Sequence, residues 1–151
     1  MQSYISNNEI DTMNLAKKIA SKLNTGDVVV LSGDLGSGKT KFTEGFLSYF
    51  GLENEISSPT FTIVNEYTKD NINIYHFDVY RLNSSDEFYA IGGEQYFENG
   101  ICIIEWGEQI QDVLPKEYLH ITFERDLEND SKRILYLQPH GKFFEKLIEA
   151  L

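Results

Sequence analysis

The chain has 151 residues, 41% of them hydrophobic and 13% aromatic, and its 13 Lys and Arg against 24 Asp and Glu leave a net charge of −11. That is the length of one ordinary domain with enough apolar residues to form a core, not the composition of a disordered chain. The charge argues against a sequence-independent nucleic-acid binder, which needs Lys and Arg against phosphates, and against a basic membrane-surface module.

Ser6-Asn-Asn-Glu9 has the spacing of a capping box, and Ile10, Met13, Ala16, Ile19, Ala20 and Leu23 follow at helical spacing. A first amphipathic helix is expected over about residues 8–23, with Gly26 as its stop. Val28–Leu31 is a continuous apolar run, as in a strand buried on both faces at the centre of an α/β sheet. A second helix is expected from Lys39 to Phe50, with Phe42, Phe46 and Phe50 on one face and Gly51 ending it. Gly45 inside it is unfavourable by about 1 kcal/mol relative to Ala, which close packing on the sheet would explain. Thr60–Thr68 and Ile72–Arg81 read as a hairpin around Lys69-Asp-Asn71. Ser84-Ser-Asp-Glu87 resembles another capping box, opening a short helix near Phe88 that Gly92-Gly93 interrupts. Ile101–Ile104 is a second buried strand, and Leu119–Glu124 with Arg133–Gln138 a further strand pair. Residues 142–151 suggest a terminal helix. The expectation is one α/β domain over 1–151, a mixed central sheet with helices on both faces.

Between the first buried strand and the second helix lies Gly33-Asp34-Leu35-Gly36-Ser37-Gly38-Lys39-Thr40, which fits G-x-x-x-x-G-K-[ST] at every fixed position. Glycines let successive backbone N–H groups turn around a phosphate, and the following helix offers its N-terminus to the anion. Lys39 is placed to reach β- and γ-phosphates, and the Thr40 hydroxyl to ligate Mg²⁺. A phosphate loop also needs acidic partners for the metal and the attacking water. Asp78 on one strand and Glu105 just past another are the candidates; a solvated carboxylate at a strand end is the alternative for each.

Four motifs then occur in order: the loop at 33–40, Ser58-Pro-Thr-Phe-Thr62, His76-Phe-Asp-Val-Tyr-Arg-Leu82 and Glu105-Trp-Gly-Glu108. Together they resemble the TsaE (YjeE) family of small bacterial P-loop ATPases in tRNA threonylcarbamoyladenosine biosynthesis. The resemblance implies a P-loop NTPase-like three-layer sandwich that binds and hydrolyses ATP. It implies that Thr40 and Glu105 hold Mg²⁺, that Lys39 and Asp78 serve hydrolysis, and that residues 58–62 respond to the nucleotide. Thr12 matches a position near the base, Trp106 belongs to a functional motif, Glu108 lines the nucleotide site and Lys132 lies over the adenine. The implied partners are a TsaB–TsaD heterodimer that transfers threonylcarbamoyl to adenosine 37 of tRNAs reading ANN codons, with tRNA met only through that complex. Many family members carry a second threonine after the metal-binding one, where this chain has Lys41, so no role is carried onto Lys41.

Two rival classes stay open: a small-molecule kinase on a phosphate loop, and a nucleotide-dependent binding module without turnover. Lid arginines are usual in such kinases, and the arginines here are only Arg81, Arg125 and Arg133. Arg81 is expected to pair with an acid or approach a phosphate. His76, His120 and His140 lack metal-ligand spacing, and His76 is expected to pack beside Asp78. Cys102 is expected to be a small core residue, and one cysteine permits no intramolecular disulfide. The first residues do not read as a signal peptide and no run approaches a membrane span, so a cytoplasmic protein is expected.

Overall fold

The computed structural model describes residues 1–34, 36–55, 64–79, 82 and 84–151. Leu35, the Ser58–Thr62 segment and Arg81, all singled out above, lie outside the described residues.

Strand β1 (Gln2–Ser6) precedes helix α1 (Glu9–Ala20). Strand β2 (Val28–Ser32) leads through the glycine loop into α2 (Lys39–Tyr49). The hairpin β3 (Val64–Lys69) and β4 (Ile72–Asp78) is followed by two short helices, α3 (Ser85–Ala90) and α4 (Gly93–Asn99). Strand β5 (Ile101–Glu105) runs into the 3₁₀ stretch Gly107–Val113, and β6 (Tyr118–Arg125), β7 (Arg133–His140) and α5 (Lys142–Glu149) complete the order.

The seven strands form one mixed sheet in the order β1-β7-β6-β2-β5-β4-β3. The four inner strands β6, β2, β5 and β4 are parallel, and antiparallel strands finish both edges. All five residues of β2 are buried because its alternate side chains enter two different cores. Val29 and Leu31 pack with Leu15, Ile19, Phe42, Phe46 and Phe144 from α1, α2 and α5. Val28 and Val30 pack on the other face with Phe88, Ile104 and Ile110, under α3 and the 3₁₀ stretch. The expected sandwich is therefore present, with long helices on one face and short ones on the other.

Several local expectations are corrected. The first helix is shorter than 8–23, and its cap is Asn8, whose Oδ1 accepts from the Asp11 N–H at 2.9 Å. Ser6 instead donates to the Asn8 carbonyl and lies 2.6 Å from Thr12 Oγ1, so it ties β1 to α1 rather than capping. Ser84 stands at the N-cap of α3 without a side-chain capping bond. Gly92 does more than interrupt a helix, because α4 starts just after it. Gly45 is explained by a neighbouring helix, not the sheet: a Cβ there would lie 2.4 Å from the Met13 carbonyl oxygen, on the backbone of α1. Strand β1 was not foreseen.

Candidate functional site

The parallel strands β2, β4, β5 and β6 end on the same edge of the sheet, and in open α/β sheets that carboxyl edge is where ligands bind. Here β2 delivers the glycine loop, β4 delivers Asp78 and β5 delivers Glu105, with Asp78 and Glu105 facing each other in register. A cleft of about 920 Å³ opens there. Thr12, Asp34, Gly36, Gly38, Lys39, Thr40, Asp78, Glu105 and Trp106 all line it.

The loop needs its glycines. Gly33, Gly36 and Gly38 have φ of 141°, 78° and 113°, which side chains rarely adopt. A Cβ on Gly33 would also meet the Phe123 carbonyl oxygen at 2.7 Å. From the loop, Lys39 begins α2 almost fully buried. Its Nζ donates to the Gly33 carbonyl at 2.6 Å, stands 3.9 Å from Glu105 Oε1 and lies 4.2 Å from the centre of the Trp106 ring. Three kinds of partner thus converge on one ammonium: a carbonyl dipole, a carboxylate and a π face. Trp106 is itself left-handed, at φ 66°, an uncommon conformation for a bulky residue, and its N–H donates to the Leu31 carbonyl at 2.9 Å.

The second oxygen of Glu105 lies 2.6 Å from His76 Nε2. His76 is buried, and its Nδ1 has no hydrogen-bond partner among the described residues. The histidine expected to pack beside Asp78 is thus a direct partner of Glu105. Cys102 is buried as expected, and burial pushes its thiol up to about 12.

Not every expected site residue faces the cleft. Glu108 lines a separate pocket of about 140 Å³ with Tyr118, His120, Gln138 and His140. There it accepts from the Ser32 hydroxyl, which also sits 2.8 Å from His120 Nε2. Burial opposes ionisation of Glu108, but hydrogen bonds from His120 and Ser32 together hold its carboxyl below the usual range. Lys132 lies 3.6 Å from Asp126, and its neighbours Ser131 and Arg133 line the cleft in its place. Ser37 is buried and does not line the cleft. Lys41 lines the cleft, but its ammonium pairs with Glu44 at 2.9 Å and lies 3.8 Å from Glu9, bridging α2 to α1. Sequence reasoning missed Arg125 and Arg133, whose guanidinium groups bond the Gly36 and Ser37 carbonyls. The scarcity of arginine, with two of three flanking one turn, was the available signal.

The residues fit a magnesium nucleotide. Among the described residues no three His, Cys, Asp or Glu groups converge into a metal cage. Mg²⁺ in nucleotide sites needs none: one or two protein oxygens and the phosphates suffice, and Thr40 with Glu105 offers such a pair.

A parallel-centred sheet whose middle strand runs through a glycine loop into a helix beginning with a buried lysine defines the class, a P-loop NTPase-like α/β fold. A family model described as "Threonylcarbamoyl adenosine biosynthesis protein TsaE" matches residues 6–134. The chain belongs to the TsaE family. It is 40% identical over 145 residues to the tRNA threonylcarbamoyladenosine biosynthesis protein TsaE of Bacillus subtilis strain 168, covering 95% of this chain and 89% of that one. The protein of the same name from Rickettsia conorii is 38% identical over 135 residues, 89% of this chain and 77% of that one. The crystal structure of Bacillus subtilis YdiB superposes with a TM-score of 0.77 at 35% identity, covering 99% of this chain and 92% of that one.

Proposed function

We propose that this protein is a Mg²⁺-dependent ATPase that serves threonylcarbamoyl modification of adenosine 37 in tRNAs reading ANN codons, as an accessory subunit acting on a TsaB–TsaD heterodimer. One observation carries the ATPase reading. The glycine loop, Lys39, Thr40, Asp78, Glu105 and Trp106 reach a single cleft from three different strand ends. The names of the relatives support the pathway.

In this reading the loop from Gly33 to Gly38 cradles the phosphates, and Lys39 exchanges the Gly33 carbonyl for phosphate oxygens. Thr40 and Glu105 hold Mg²⁺, which neutralises phosphate charge when bound. His76 fixes one Glu105 oxygen and so leaves the other to face the cleft. Asp78, beside Glu105, orients or deprotonates the attacking water. Thr12 belongs to the base side of the cleft, Trp106 keeps its ring against the Lys39 ammonium, Lys132 stays outside the lining beside Asp126, and Glu108 supports the loop from behind through Ser32. Nothing basic enough to hold tRNA is needed, because the partner proteins carry the RNA. The same reading makes the protein cytoplasmic.

The test is hydrolysis and binding measured side by side. Lys39→Ala is expected to weaken ATP affinity about 10- to 100-fold. Asp78→Ala is expected to keep affinity within a few-fold while turnover falls about 100-fold or more. Equal turnover by Asp78→Ala and wild type would remove the catalytic assignment. Transfer of phosphate to a small acceptor rather than water would favour a kinase. The partner reading fails if immobilised TsaB–TsaD retains no protein with ATP and Mg²⁺ present.

A further inference from the structure

Arg125 and Arg133 are cross-strand partners at the turn end of the β6–β7 hairpin. Like charges directly opposite each other destabilise a strand pair. The chain has three arginines in all, so this juxtaposition of two asks for a physical reason. Both side chains end on the glycine loop. Arg125 Nε and Nη2 donate to the Gly36 carbonyl at 3.3 and 3.2 Å. Arg133 Nε donates to the Ser37 carbonyl at 3.1 Å, and its Nη2 reaches the Gly36 carbonyl at 3.4 Å. The Arg133 Nη1 is held in turn by the Lys132 carbonyl at 3.0 Å. The fit around Gly36 is close, since a Cβ there would lie 2.8 Å from Arg125 Nη2.

A loop that receives phosphate on its N–H groups must turn the attached carbonyls elsewhere, because the two ends of a peptide unit point in opposite directions. Left to water, those carbonyls leave the glycine-rich backbone free to rotate, and ordering it on binding is costly. A guanidinium is a rigid fork of donors with no acceptor, suited to gripping such carbonyls from outside. Arg125 does not line the cleft, whereas Arg133 does. We propose that Arg125 and Arg133 are positioning residues, a guanidinium brace that holds the Gly36 and Ser37 carbonyls outward and keeps the loop pre-set for nucleotide phosphates. The brace rests on the nucleotide reading above.

Calorimetry with MgADP on the full chain tests it through Arg125, which is exposed and stands clear of the cleft. Arg125→Gln and Arg125→Lys are each expected to weaken MgADP about three- to tenfold, since each has a single donor nitrogen and neither reproduces the Nε and Nη2 fork on one carbonyl. Melting midpoints without nucleotide are expected to match wild type, as for other exposed positions. Unchanged affinity in both variants would overturn the brace. So would wild-type affinity in Arg125→Lys with loss only in Arg125→Gln, which would mark a charge effect instead of a grip. A wild-type protein that takes up neither MgADP nor MgATP would instead overturn the nucleotide reading, and the brace with it.

Discussion

Glu108 illustrates how one side chain can serve a loop it does not belong to. It accepts from Ser32, the residue just before Gly33, and His120 lies 3.6 Å away. Burial alone would raise its pKa; its hydrogen bonds outweigh that and lower it. A carboxyl whose folded pKa lies below its unfolded one contributes stability above the ordinary carboxylate range, and that stability is lost as pH falls through the lowered value. Glu108→Gln is therefore expected to lower the melting point near neutral pH and to flatten its decline in acid, the two proteins converging once pH has fallen through the lowered Glu108 range. A parallel decline, with the gap intact in acid, would contradict this. The residue scale also shows where the sequence was readable. Lys39, Thr40, Asp78 and Glu105 stood out because a fixed spacing and strand-end positions specify them. The carboxylate partner of His76 did not, because β4 and β5 become neighbours only through long-range pairing in register. Lys132 was one residue away from Arg133, which lines the cleft; strand alternation beyond a turn decides which neighbour faces inward.

At the scale of elements, α1 and α2 lie so close that Gly45 has the Met13 backbone where a side chain would stand. Gly45→Ala gains about 1 kcal/mol of helix propensity but must push two helix backbones apart. The expected net result is destabilisation of about 1–3 kcal/mol, read as a lower midpoint in urea unfolding. A stabilised variant would show that the helices can slide apart at no cost. Element type was legible wherever burial imposes a period: both apolar strands, the phenylalanine face of α2 and the hairpin around Asp70 and Asn71 all stand as expected. That turn has positive φ at both central residues, 53° and 67°, matching the twist of a two-residue hairpin. Strand β1 was not legible because it is short, polar and exposed along most of its length, and only the existing edge of β7 makes it a strand. Helix limits were overestimated where apolar spacing continued past the last helical turn.

Across the whole molecule, 24 acidic residues against 13 basic ones coexist with a cleft that gathers Lys39, Lys41 and Arg133. Those three cations share the cleft with Glu9, Asp34, Asp78 and Glu105, and the rest of the chain stays strongly acidic. If partner proteins meet it with a basic face, complex formation gains from electrostatic steering. Affinity for TsaB–TsaD is then expected to fall about tenfold or more between 50 and 500 mM salt, mainly through slower association. Affinity independent of ionic strength would argue for an apolar interface instead.

The strand order has a further consequence, for the time course of synthesis. The loop and Lys39 leave the ribosome early, yet the strands that flank β2 are β5 and β6, and Arg133 opens the penultimate element. Gln2 finds its partner only when Leu137 exists. A nascent chain stopped just after α2 holds the complete phosphate motif with neither sheet neighbour of β2, and so with no walls around it. Such long-range pairings make folding slow, because the chain must close large loops before any contact rewards it. On the proposed nucleotide reading, a ribosome-bound fragment stopped there is expected to hold no nucleotide, and competence waits until translation is nearly finished.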